Sequence, residues 1–205
     1  MTRQCMGAMS RAGFLRQGVI GGGAVLVSAS GLGAFASAAF ADAPSDGDLA
    51  YLRLLIAVEL LAVDFYGRAL EHGDLRRSYS ALARQIRGEE HEHYTLLAGL
   101  LRAAGQTPAT AGDIDFSYPA GTFARRRSIL GFAKELERVL AGAYIDAVEH
   151  VQTPGYRETM ARILANEAQH HGALAVLEGE PVIEKRFPSP FRMSALSNFL
   201  DNYES

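Results

Sequence analysis

A duplicated arrangement of acids, tyrosines and histidines constrains this chain more than any other feature. Glu59 is followed seven residues on by Tyr66, and then by Glu90-His91-Glu92-His93. Glu137 is followed seven residues on by Tyr144, and then by Glu167-Ala168-Gln169-His170, at a nearly constant offset from the first set. Each half therefore carries one lone Glu and one Glu-x-x-His. Two of each is a ligand set that a four-helix bundle can gather around a pair of metal ions in its core.

The surroundings of each acid carry the argument further than the spacing does. On a helix, positions three, four and seven apart share a face. Around Glu59 those positions hold Leu52, Leu55, Ile56, Ala62, Val63 and Tyr66. Glu90 has Ala83, Ile86, His93, Tyr94 and Leu97; Glu137 has Leu130, Ala133, Leu140, Ala141 and Tyr144. Glu167 has Met160, Ile163, Leu164, His170, His171 and Leu174. All four acids thus lie in apolar stripes that point into a core. Ionised carboxylates are costly to bury without partners. Four converging on one interior require cations, and carboxylate oxygen with neutral imidazole suits iron or manganese, and also zinc.

The first 41 residues read differently. Arg3, Arg11 and Arg16 are their only charges, and an uncharged stretch rich in Gly, Ala, Ser and Val follows. Small-residue sites close it, with cleavage expected after Ala41. This is the layout of an export signal over residues 1–41. Ser10-Arg11-Ala12-Gly13-Phe14-Leu15-Arg16 resembles a twin-arginine motif in which Ala12 replaces the second Arg. The expectation is a periplasmic or extracellular protein, sent by the twin-arginine or general secretory route, touching a membrane only through an uncleaved signal. The full chain balances 20 Lys and Arg against 23 Asp and Glu, and losing the signal makes it more acidic. No basic patch is offered to nucleic acid. The single Cys, Cys5, lies in the signal, so thiol chemistry is excluded from the folded part.

Apolar periodicity predicts four long helices: one from Asp48 as N-cap to residue 71, then residues 78–104, 122–150 and 154–178. The first and third connectors are short and join antiparallel neighbours. The middle connector, residues 105–121, spans about 55 Å when extended, longer than a helix of this size. The expected fold is an all-α four-helix bundle over residues 42–179, with one long crossover between helices 2 and 3. Residues 180–205 contain Pro181, Pro188 and Pro190. They are read as a tail packed on the bundle, with a short helix over residues 194–203.

On these motifs the chain resembles the exported bacterial ferritin-like domain family, sometimes called desiccation-related. The likeness lies in Val58-Glu59-Leu60 to Phe65-Tyr66, Glu90-His91-Glu92-His93-Tyr94-Thr95-Leu96-Leu97, Leu136-Glu137 to Ala143-Tyr144, and Glu167-Ala168-Gln169-His170. The resemblance covers residues 48–178 and implies a dinuclear iron or manganese site. Glu59, Glu90, His93, Glu137, Glu167 and His170 stand at the six matching positions. In such a site Glu90 and Glu167 bridge the ions, and each ion takes one His and one lone Glu. Tyr66 and Tyr144 are read either as hydrogen-bond donors to the ligand carboxylates or as ordinary core tyrosines.

Functionally, the resemblance implies redox chemistry with O2 or hydrogen peroxide, of ferroxidase or catalase type, with the metal centre itself as the catalytic group. Two other readings stand beside it: metal storage or buffering, and a stress-protective bundle with no functional metal. No haem is implied, and a homo-oligomer is compatible with the sequence. Among neighbours of the motif, His91 lies about 160° around the helix from His93 and is expected outside. His171 is an alternative to His170. Glu89 and Glu92 are expected to be solvated or paired with Arg84, Arg87 or a neighbour. Arg125, Arg126 and Arg127 are read as wet surface.

Overall fold

A computed structural model describes residues 43–72, 75–182 and 188–204. The proposed export signal and its cleavage site lie outside these residues. Four long helices form the bundle: α1 (Asp46–His72), α2 (Arg77–Ala103), α3 (Arg126–His150) and α4 (Pro154–Glu178). A short α5 (Met193–Asp201) follows, and no strand occurs among the described residues. None of these helices is long and apolar enough to cross a membrane.

The α1–α2 and α3–α4 pairs pack most extensively, each across a short link. Residues 104–125 form the long crossover between the pairs. On α2 the buried side chains Tyr79, Ala83, Ile86, Glu90, His93, Leu97 and Leu101 recur every three or four residues, while Arg84, Arg87, His91 and Glu92 face water. α1 is buried over much more of its circumference. Its inward stripe packs against α2 and α3, and its opposite side lies under the crossover and α5. Phe65 anchors that second layer, packing on Phe132 with ring centroids 4.5 Å apart and on Tyr118 at 6.0 Å. The Arg68 side chain donates to the Phe116 carbonyl, and the Tyr118 hydroxyl donates to Asp64.

The helix starts depart from expectation in two places. Ser45, not Asp48, caps α1: its hydroxyl accepts from the Asp48 N–H at 3.1 Å. Asp48 is buried and reaches across to the α3–α4 link, accepting from the Gln152 and Thr153 N–H groups and the Thr153 hydroxyl. α3 begins at Arg126, four residues later than predicted. Thr122 turns both its N–H and its hydroxyl back onto the Pro119 carbonyl, and that local bonding competes with helix. In the arginine run, Arg125 and Arg127 are exposed, but Arg126 lies over the Tyr79 ring at 5.1 Å.

The tail docks through a close backbone approach. The Phe191 N–H donates to the Gly142 carbonyl at 2.8 Å. A Cβ at Gly142 would stand 2.8 Å from Phe191 Cβ and 3.1 Å from the Ser189 carbonyl, so only glycine admits this contact. Asp146 accepts from the Met193 N–H at the start of α5, and Leu196 and Leu200 are buried.

Candidate metal centre

The inward stripes of the four long helices converge midway along the bundle. α1 contributes Glu59, α2 Glu90 and His93, α3 Glu137, and α4 Glu167 and His170. All four carboxylates are 0% exposed, His93 8% and His170 3%. They form two overlapping groups: Glu59, Glu90, His93 and Glu167 in one, and Glu90, Glu137, Glu167 and His170 in the other. Within each group, one polar atom per residue lies within 4.8 Å of all the others. Glu90 and Glu167 belong to both groups. His171 belongs to neither and is half-buried, while His91 is exposed.

Each side chain divides its polar atoms between the protein and the centre. The Tyr66 hydroxyl, from α1, donates to Glu137 Oε1 on α3. The Tyr144 hydroxyl, from α3, donates to Glu59 Oε1 on α1. The other oxygens, Glu137 Oε2 and Glu59 Oε2, have no hydrogen-bond partner. Both histidines aim Nδ1 inward. His93 Nδ1 is 3.0 Å from Glu167 Oε1 and 3.2 Å from Glu90 Oε2. His170 Nδ1 is 3.0 Å from Glu90 Oε1 and 3.3 Å from Glu137 Oε2. The outward Nε2 atoms are held by protein acceptors, Asn166 Oδ1 at 2.9 Å for His93 and Glu89 Oε2 at 2.6 Å for His170. Those acceptors fix a proton on each Nε2, so Nδ1 is the nitrogen that shares a proton with the carboxylates and, once that proton leaves, turns its lone pair to the centre.

Protons are the only cations these side chains can offer one another. Burial and the neighbouring Glu90 charge push the Glu59 carboxyl up to about 8, against an ordinary 4.5, although His93 partly offsets them. Burial and Glu90 push Glu137 well up too. Burial alone would depress both histidines, but the carboxylates around them win and raise both far above the usual imidazole range. Tyr66 and Tyr144 are driven well above 10 by burial and by the adjacent carboxylates, so both phenols stay protonated donors.

The set fits metal ions on its own chemistry. Glu59 Oε2, Glu90 Oε1, Glu137 Oε2, both Glu167 oxygens and His170 Nδ1 are buried without a hydrogen-bond partner. Such orphans are rare in a core. Here they are all hard oxygen or imidazole donors pointing at common centres, as transition-metal sites require.

A family model described as a ferritin-like domain matches residues 47–180. The chain belongs to the ferritin-like domain family. No curated protein matches it. The match spans the four long helices and the crossover that carry this centre, and ends just past the Gly179 cap of α4.

Two residues of this ferritin-like core have a role at the centre that the sequence reading did not reveal. Glu89 does pair with a neighbour, Gln85, but it is half-buried and its other oxygen holds His170. Asn166 holds His93. A signal for both was present, because each stands immediately before the Glu of a Glu-x-x-His, at the same place in the repeat. A further acid–histidine group, Asp146, Glu149 and His150, has two exposed members. Its Asp146 is already engaged by the Tyr51 hydroxyl and the Met193 N–H.

Proposed function

We propose that this ferritin-like bundle holds two iron or manganese ions, with Glu90 and Glu167 shared between them, and uses the pair for redox chemistry with O2 or hydrogen peroxide. Glu59 and His93 complete one position, and Glu137 and His170 the other. The observation that carries this reading is the pair of overlapping four-residue groups, buried and lined with unpartnered donor atoms. Bound there, iron or manganese would supply one-electron chemistry and open coordination positions for the oxidant.

The chain's own residues define the rest. Tyr144 and Tyr66 fix one oxygen of Glu59 and Glu137, leaving the second free to ligate. Glu89 and Asn166 fix the imidazole tautomers. The apolar stripes above and below exclude water. Residues 1–41 are read as the signal that takes the protein to the periplasm or beyond, on the strength of Arg3, Arg11, Arg16 and the uncharged stretch after them.

Metal analysis of protein loaded aerobically with iron or manganese is expected to find about two ions per chain, the number the carboxylate–histidine bundle site accommodates. The Glu90→Ala/Glu167→Ala variant should lose both while keeping its helical circular dichroism. A folded wild-type protein that takes up no iron, manganese or zinc refutes the metal reading. Loaded protein that neither consumes peroxide nor speeds Fe(II) oxidation would instead be a metal-storing one.

A further inference from the structure

Every contribution to the two groups is matched except one. Each group has the shared Glu90 and Glu167, one lone Glu tied by one tyrosine from the opposite half, and one histidine presenting Nδ1. The match ends at the outward imidazole nitrogens. His170 Nε2 meets a carboxylate oxygen of Glu89 at 2.6 Å, and His93 Nε2 meets the amide oxygen of Asn166 at 2.9 Å. These are equivalent places in the repeat, occupied by a carboxylate in one half and a shorter, neutral amide in the other.

We propose that this single difference makes the two ion positions unequal, and that Glu89 is a positioning residue that makes the His170 position the tighter one. The inference rests on the metal reading above and goes beyond it. Both acceptors enforce the same tautomer, so orientation alone does not separate the positions. Charge does. A carboxylate behind an imidazole N–H forms the shorter, stronger, charge-assisted bond and pushes electron density toward the opposite nitrogen. The same carboxylate bonds His170 directly, whereas it reaches His93 only through the neutral Asn166 side chain, which also donates to it. Glu89 is held for this task, since its other oxygen accepts from the Gln85 amide at 3.1 Å. Its side chain is 31% exposed, so solvent weakens its long-range field and leaves the direct bond as the main effect.

Zinc, a diamagnetic stand-in for the redox ions, allows a direct test. Zn(II) is titrated into the full mature protein while the ring resonances of His93 and His170 are followed by NMR. The first equivalent is expected to shift His170 and the second His93, with affinities roughly 10-fold or more apart. Glu89→Gln keeps shape and an acceptor but removes the charge, and should bring the two steps together by weakening the first. The Glu89→Gln/Asn166→Asp variant moves the carboxylate to the other half and should reverse the order of filling, a result that a merely structural role cannot produce. Parallel filling of both histidines in the wild type overturns this inference alone. An order that survives Glu89→Gln does the same. If no zinc reaches either histidine, the metal reading falls and takes this inference with it.

Discussion

Tyr66 and Tyr144 are crossed between the halves of the repeat, each securing the lone acid of the other half. The crossing makes a specific prediction. Tyr66→Phe should weaken the ion position that uses Glu137 and His170, and Tyr144→Phe the one that uses Glu59 and His93, each by roughly 10-fold. Stepwise metal titration of the two variants checks it, and equal weakening of both positions by either variant counts against it. Buried donors of this kind are also stabilising, so each variant should lose about 1–3 kcal/mol in denaturant unfolding. The protons held in the centre set a second expectation. Glu59 is raised to about 8 from 4.5, and Glu137, His93 and His170 are raised as well. The folded, metal-stripped protein therefore binds more protons than the unfolded chain. Glu59's contribution to stability is fully present below about pH 4.5 and is lost as pH rises through about 8, while the two histidines, raised much further, keep theirs beyond that window. Metal must displace those protons, so its affinity rises over the same window. Calorimetric melting with chelator should show stability drifting down between those pH values, and loaded protein should gain relative to it.

Gly142 lies midway between Glu137 and Asp146 on α3, where the tail backbone comes down onto the helix. Gly142→Ala should force the strap off, at a cost of about 1–3 kcal/mol, the usual penalty of overpacking. Limited proteolysis would then cut the tail earlier, while metal stoichiometry stays near wild type because Glu137 is packed on the opposite, inward side. An unchanged cleavage pattern would show that the strap accommodates the methyl group. The long helices were legible at this scale because apolar residues recur with helical period, and Pro154 and Gly179 bracket α4 where start and stop signals belong. The ends that differ from expectation have two causes. Asp48 and Arg126, expected as a cap and a wet cation, are assigned instead by partners distant in the chain, the α3–α4 link and the Tyr79 ring. Thr122, expected inside the helix, is held out of it by its own local bonds to the Pro119 carbonyl.

At the scale of the whole molecule, the two helix pairs form one core only if the charge at their shared interface is neutralised. Chelation of the loaded protein should therefore lower its melting temperature. With free metal at a hundred times its dissociation constant, each ion position contributes about 2.7 kcal/mol to stability. Thermal scans with and without chelator measure it, and the Glu90→Ala/Glu167→Ala variant should show no such difference. The sequence alone determined the four amphipathic helices, the long crossover and the six acids and histidines of the centre, because a residue's place on a helical face follows from spacing. It could not determine what stands behind those six. The crossing of Tyr66 and Tyr144, the support of His170 by Glu89 and of His93 by Asn166, and the docking of the tail at Gly142 all join residues far apart in the chain. Only tertiary packing decides such contacts, because they depend on how helices are rotated and staggered against one another, and helical periodicity says nothing about that.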